Sequence, residues 1–167
     1  MHFLIDTNVA VVANGKSGAG FTCVTACVER IERLKAGEIL VLDDAFHILS
    51  EYDRNLNSAG RPGVGDDFYL WALRNRNNPQ RCEQIAIEVI GNDGTFPIFA
   101  AFPTASELAD FDRSDRKFVA AALTHPANPP VINAKDKDWH EHFEALTAHG
   151  VEIKFLCPEE MTRTRNE

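Results

Sequence analysis

Positive charge is in short supply. The 167 residues include 17 Lys and Arg against 25 Asp and Glu, a formal net charge of −8. A protein whose main business is non-specific coating of nucleic acid shows the opposite balance. A nuclease stays compatible with it, because a carboxylate metal site adds negative charge that bound cations offset. Cysteine is scarce as well. Cys23, Cys27, Cys82 and Cys157 form no CxxC pair, which speaks against a structural zinc site and against a disulfide framework. Cys23 and Cys27 stand four apart on an expected helix and read as small core residues. No apolar run approaches membrane-spanning length, and no basic stretch precedes an apolar one at the N-terminus. The expected location is therefore the cytoplasm.

Several catalytic signatures are missing too. There is no GxSxG nucleophile elbow and no HExxH zinc helix. His140 and His142 form an HxH, and His47 lies one turn from Glu51, but neither completes a zinc set. Lys16 and Ser17 follow Gly15 directly, without the longer glycine-containing run that a Walker A loop needs.

What is present is an alternation of apolar strands and amphipathic helices. Phe3–Ile5 reads as a short buried strand, Phe21–Lys35 as a helix and Ile39–Leu42 as a second strand. Together they make a βαβ unit with the helix as crossover. Asp43 or Asp44 can cap a helix over 45–56. A Gly/Pro loop over 58–65 leads to a helix over 66–76. Residues 80–90 fit a helix or a strand equally. Residues 96–102 fit an edge strand or a packed loop. Ser114–Leu123 is a helix that Pro126, Pro129 and Pro130 end. Val131 begins another buried strand, 139–147 a last helix, and Val151, Ile153 and Phe155 alternate as an outer strand should. The class is α/β with a mostly parallel sheet. Residues 1–160 form one domain and 161–167 a flexible tail.

In such a layout ligands gather beyond the carboxyl ends of the strands. Asp6 follows the first strand. Asp136 and Asp138 follow the strand that starts at Val131. Asp115 opens a helix, and Glu51 lies two turns along another. Each has a plain structural alternative: a turn cap for Asp6, a favourable first-turn charge for Asp115, a solvated turn for Asp136 and Asp138, an exposed helix face for Glu51. Asp112 reads as the cap of the Ser114 helix, with Asp115 closing a capping box. An all-oxygen carboxylate cluster suits Mg²⁺ or Mn²⁺ rather than softer metals. Such ions can orient water and stabilise charge at a phosphodiester. A pocket already filled by a buried lysine or arginine would end the nuclease reading.

Four segments, FLIDTN at Phe3–Asn8, ILSEY at Ile48–Tyr52, SDRKFVAAAL at Ser114–Leu123 and INAKDKDW at Ile132–Trp139, resemble the PIN-like domain family of metal-dependent nucleases, which includes toxin ribonucleases. The resemblance implies a Rossmann-like αβα sandwich with a mostly parallel central sheet. It implies a Mg²⁺ or Mn²⁺ site built from Asp6, Glu51, Asp115 and Asp136, with Asp138 as a companion ligand. The implied activity is endonucleolytic, with RNA the expected substrate and DNA the other choice. The implied partners are an antitoxin or other regulatory protein, and a second copy of the chain. The alternative is a catalytically silent member of the fold that binds nucleic acid or protein. Arg116, Lys117 and Lys135 are candidates for phosphate contact or for ordinary solubilising charge. Residues 60–102 match nothing in the family pattern and are candidates for shaping a substrate groove or a partner surface.

Overall fold

The computed structural model describes residues 1–57 and 59–161. Five short strands form the central sheet: β1 (His2–Ile5), β2 (Ile39–Asp43), β3 (Cys82–Ile85), β6 (Val131–Asn133) and β7 (Ile153–Phe155). Their order is β3-β2-β1-β6-β7, and every pairing is parallel. Helices flank the sheet, so the fold is a mixed α/β Rossmann-type sandwich. A separate antiparallel hairpin, β4 (Val89–Asn92) and β5 (Pro97–Phe99), stands apart from it.

β1 lies at the centre of the sheet, and Leu4 and Ile5 are completely buried, as a strand covered on both faces requires. The chain turns at Asp6 into α1 (Thr7–Ala13) and returns through α2 (Phe21–Gly37) to β2. That is the expected βαβ unit. On α2, Cys23, Cys27, Ile31 and Leu34 face the core at helical spacing. Arg30 joins them because its guanidinium stacks 4.2 Å over the Phe3 ring and pairs with Glu38 at 2.6 Å.

α3 (His47–Asn55) is started by Asp43, whose two carboxylate oxygens accept from the amides of Ala45, His47 and Ile48 at 2.8–3.1 Å. Asp43 is thereby spent on capping, which leaves the carboxyl edge to other acids. α4 (Val64–Asn75) packs against α1 at Gly65. A Cβ built on Gly65 would lie 1.9 Å from the Ala10 carbonyl oxygen. The Gly65 amide also donates to Asn14 Oδ1 at 2.8 Å. Gly65→Ala is therefore expected to force α1 and α4 apart and to cost about 3 kcal/mol. A thermal melt checks it; an unchanged melting temperature would show that the helices give way freely.

The segment 80–90 that sequence left open between helix and strand holds no helix: residues 82–85 are β3, an edge strand paired along its length with β2, and residues 89–90 begin β4 of the separate hairpin. The 96–102 segment supplies β5, paired only with β4. The expected last helix is two pieces, α6 (Lys137–Glu141) and α7 (Phe143–Ala148), broken at His142. A four-residue α8 (Pro158–Met161) closes the described chain. The proposed tail therefore starts inside a helix at Met161, and its remaining residues lie outside those described.

The cysteine reading needs correcting. Cys23 and Cys157 form a disulfide with Cα atoms 5.2 Å apart, although 134 residues separate them in sequence. Spacing could not reveal it, because the pairing depends on β7 delivering Cys157 to the face of α2. Cross-links of this type persist mainly in oxidising compartments, which sets this one against the cytoplasmic expectation. Closing so long a loop limits the unfolded chain, so reduction should lower stability by roughly 2–4 kcal/mol. Denaturant titration with and without dithiothreitol measures it; identical midpoints would show the cross-link to be energetically idle. Among the described residues no helix is long and apolar enough to cross a membrane.

Candidate functional site

The carboxyl edge of the sheet gathers the acids of four separate segments. Asp6 ends β1, Asp115 sits just before α5 (Arg116–Thr124), and Asp136 follows β6. Glu51 reaches the same place from the second turn of α3. Asp6, Glu51 and Asp115 are buried, and Asp136 is half-buried.

Asp6 is held by its backbone on both sides. Its amide donates to Ile132 O at 2.9 Å, tying the end of β1 to β6. Its Oδ1 accepts the Asn8 amide at 2.9 Å and so caps α1. Asn8 in turn accepts the Ala134 amide on its Oδ1 at 2.8 Å. The other oxygen of Asp6, Oδ2, is buried without a hydrogen-bond partner. An unsatisfied buried carboxylate oxygen is costly. Burial, with the charges of Asp136 and Glu51 adding to it, pushes the Asp6 carboxyl up to about 8.

Asp115 occupies the N-cap position of α5, yet its side chain makes no capping hydrogen bond. Its Oδ2 instead accepts the indole Nε1 of the fully buried Trp139 at 3.2 Å. Burial raises its carboxyl to about 9, with further contributions from the Asp6, Glu51 and Asp136 charges. The capping-box expectation is thus corrected. The helix starts two residues later than its apolar pattern suggests, and Asp112 accepts from Ser114 to form a tight turn ahead of it.

Glu51 is fixed at both oxygens. Thr7 Oγ1 donates to Oε1 at 2.8 Å, and Lys117 Nζ forms an ion pair with Oε2. Lys117 also donates to the Ser114 carbonyl. Next door, Tyr52 donates its hydroxyl to Ile5 O at 2.5 Å and is itself fully buried. The burial and the Asp6 and Glu51 charges raise its phenol further. Asp136 accepts the Asp138 amide at 2.8 Å and caps α6, while its own amide is held by Asn133 Oδ1 at 2.9 Å.

Asp138 stands at the rim. Its Oδ2 accepts the Asp112 amide at 2.8 Å, and its Oδ1 meets His142 Nδ1 at 3.2 Å. Both oxygens therefore have partners outside the pocket. The three basic side chains expected as phosphate contacts or solubilising charge are otherwise engaged. Arg116 donates to the Leu108, Ala109 and Phe111 carbonyls, Lys135 pairs with Glu160 at 2.7 Å, and Lys117 is buried with Glu51. Sequence reasoning missed the local roles of Thr7, Lys117 and Trp139. The Thr7–Glu51 hydrogen bond joins residues 44 positions apart in sequence, and no local pattern carries it.

Candidate metal-chelating clusters also occur away from this pocket. Among the described residues, two groups hold three donor atoms all within 4.8 Å of one another: Cys23, Cys27 and Cys157, and His2, Glu83 and His125. The first is committed to the disulfide through two of its sulfurs. In the second, His125 Nδ1 accepts the Ala127 amide at 3.0 Å, so a neutral ring carries its proton on Nε2, the atom 3.3 Å from Glu83. No three carboxylates of the acidic pocket meet the same spacing among the described residues.

Comparison with family models, with curated proteins and with solved structures gave no match.

Proposed function

We propose that the acidic pocket is the active centre of a PIN-like, divalent-metal-dependent endonuclease, with RNA the expected substrate, on a three-layer αβα sandwich. The observation that carries this reading is the convergence of Asp6 and Asp115. Two buried carboxylates from separate segments are each raised well above the ordinary range, and one keeps a buried oxygen with no partner. A purely structural role explains that poorly, since neither the helix nor the sheet uses that oxygen. Perturbed pairs of this kind mark functional sites.

The donor set is all oxygen, which fits Mg²⁺ or Mn²⁺. Asp6, Asp115 and Asp136 would hold the ion, Glu51 would close the shell, and Asp138 would support it from the rim. Bound there, the ion would supply positive charge for a phosphodiester and its attacking water. The chain itself contributes the positioning. Asn8 and Asn133 fix the turns that present Asp6 and Asp136, Trp139 orients Asp115, and Thr7 with Lys117 aims Glu51. Burial of the pocket limits competing bulk water.

A specific observation favours the runner-up, a catalytically silent binding module. Lys117 is a buried lysine inside the pocket, the kind of cation that would end the nuclease reading if it filled the site; among the described residues it ion-pairs with Glu51 alone and so neutralises one of the four acids. The two readings part on metal affinity and turnover. Incubation with labelled single-stranded RNA and Mn²⁺ should give discrete internal cuts that disappear with EDTA. Tight RNA binding with no cation response would leave only the silent module.

A further inference from the structure

A groove of about 270 Å³ opens beside the acidic pocket, between the start of α3 and the β4–β5 hairpin. It lies just below the roughly 300–1,000 Å³ of typical small-molecule sites, room for one base rather than a larger ligand. Phe46, His47, Arg54, Phe96, Arg113 and Lys117 are among the residues that line it, and no carboxylate does. In a chain with 25 acids against 17 bases, a wall with three cations and no acid is a local reversal of charge. Arg54 is exposed and makes no ion pair among the described residues. Arg113 pairs with Asp93 of the hairpin at 3.1 Å, but stands 59% exposed, so that pair is weak and exchangeable. Lys117 belongs to both spaces, lining the groove while it pairs with Glu51.

The aromatic component is Phe46. Its backbone sits in the left-handed region, φ 64° and ψ 20°, which costs a bulky residue about 1 kcal/mol or more. The ring is 43% exposed instead of being turned into the core, and the Arg76 guanidinium lies 5.5 Å from its centroid. A strained backbone that presents an apolar ring to solvent, beside the unpaired Arg54 and the exposed Arg113, needs an occupant to make sense of it. A planar base stacking on that ring, with its phosphate against Arg54 and Arg113, satisfies both features. An acidic peptide would use the cations and leave the ring unexplained.

We propose that this groove binds one nucleotide of a single-stranded nucleic acid and feeds the adjoining backbone toward the acidic pocket. The β4–β5 hairpin, from the part of the chain that matches no family pattern, forms its far wall through Thr95, Phe96 and Phe99. The proposal rests on the endonuclease reading for the identity of the strand, and its binding test is independent of cleavage.

The test is fluorescence anisotropy with end-labelled single strands of about 10 nucleotides, RNA and DNA in separate arms, and a duplex as control. The full chain carrying Asp6→Asn serves as the parent, so that no cleavage intervenes. Phe46→Ala and Arg54→Glu should each weaken single-strand binding by about tenfold, while Phe46→Tyr keeps it and Lys154→Glu, at the far edge of the sheet, changes it little. Circular dichroism melts confirm that each variant is folded. Equal affinity of Phe46→Ala and Arg54→Glu with the parent overturns the groove, as does a parent that binds neither strand at low salt or that prefers duplex. Groove-dependent binding in a wild-type chain that never cleaves would keep the groove and remove the endonuclease reading. Cleavage with groove variants unaffected in KM would do the reverse.

Discussion

Asp6→Asn and Asp115→Asn will each reduce metal-dependent cleavage by about a hundredfold or more and will each melt higher than the wild type at alkaline pH when no divalent cation is present. The two effects have one cause. Burial holds the Asp6 carboxyl at about 8 and that of Asp115 at about 9, against 3.8 for an ordinary aspartate. The folded chain thus binds more protons than the unfolded chain between about pH 4 and pH 9. Stability contributed by these groups is complete below about pH 4 and falls as pH rises through 8 and 9. Asparagine keeps the shape and removes the charge, so the alkaline loss shrinks. A divalent cation does the same for the wild type by replacing the protons. Its affinity should rise with pH up to about 9, with proton release on binding. Melts over pH 5–9 with EDTA or Mn²⁺ read all of this. A wild-type melting curve that is flat in pH and indifferent to Mn²⁺ would sink the metal centre, whatever the cleavage assays show.

Lys117→Met is expected to destabilise the chain by roughly 3–5 kcal/mol without divalent cation, because Glu51 then stays buried with no partner. Methionine keeps much of the side-chain volume, so cavity formation adds little. Two further measurements separate this from simple damage. The double variant Glu51→Gln with Lys117→Met should recover most of the loss, since it leaves no unpaired charge. Mn²⁺ should stabilise the single variant more than it stabilises the wild type, because the lysine no longer competes with the ion. Denaturant midpoints for the four members of the cycle give the coupling directly. If Lys117→Met is as stable as the wild type and the pair shows no coupling, then the ion pair does not govern the charge of the pocket.

The elements were largely legible in the sequence where a single period governed them. Phe3–Ile5, the helix from Phe21 and the strand from Ile39 are read from apolar spacing alone, because burying an amphipathic face is a local statement about residues three or two apart. Legibility failed where partners came from afar. Residues 82–85 gain their strand identity from pairing with β2, and residues 97–99 from pairing with β4. The Cys23–Cys157 cross-link joins positions 134 apart. For the site, Asp6, Asp115 and Asp136 were visible as acids at element ends, while Glu51, inside a helix, was singled out only through the family resemblance. Their differing surroundings were not visible.

Composition and periodicity thus suffice for an α/β class with carboxylates at strand ends, because both are properties of neighbouring residues. Which acid lies unpartnered, which is neutralised by Lys117, and which is turned outward to Asp112 and His142 follow from the sheet order β3-β2-β1-β6-β7. Burial and charge coupling act through space over a few ångströms. Only folding brings positions 6, 51, 115 and 136 within that range.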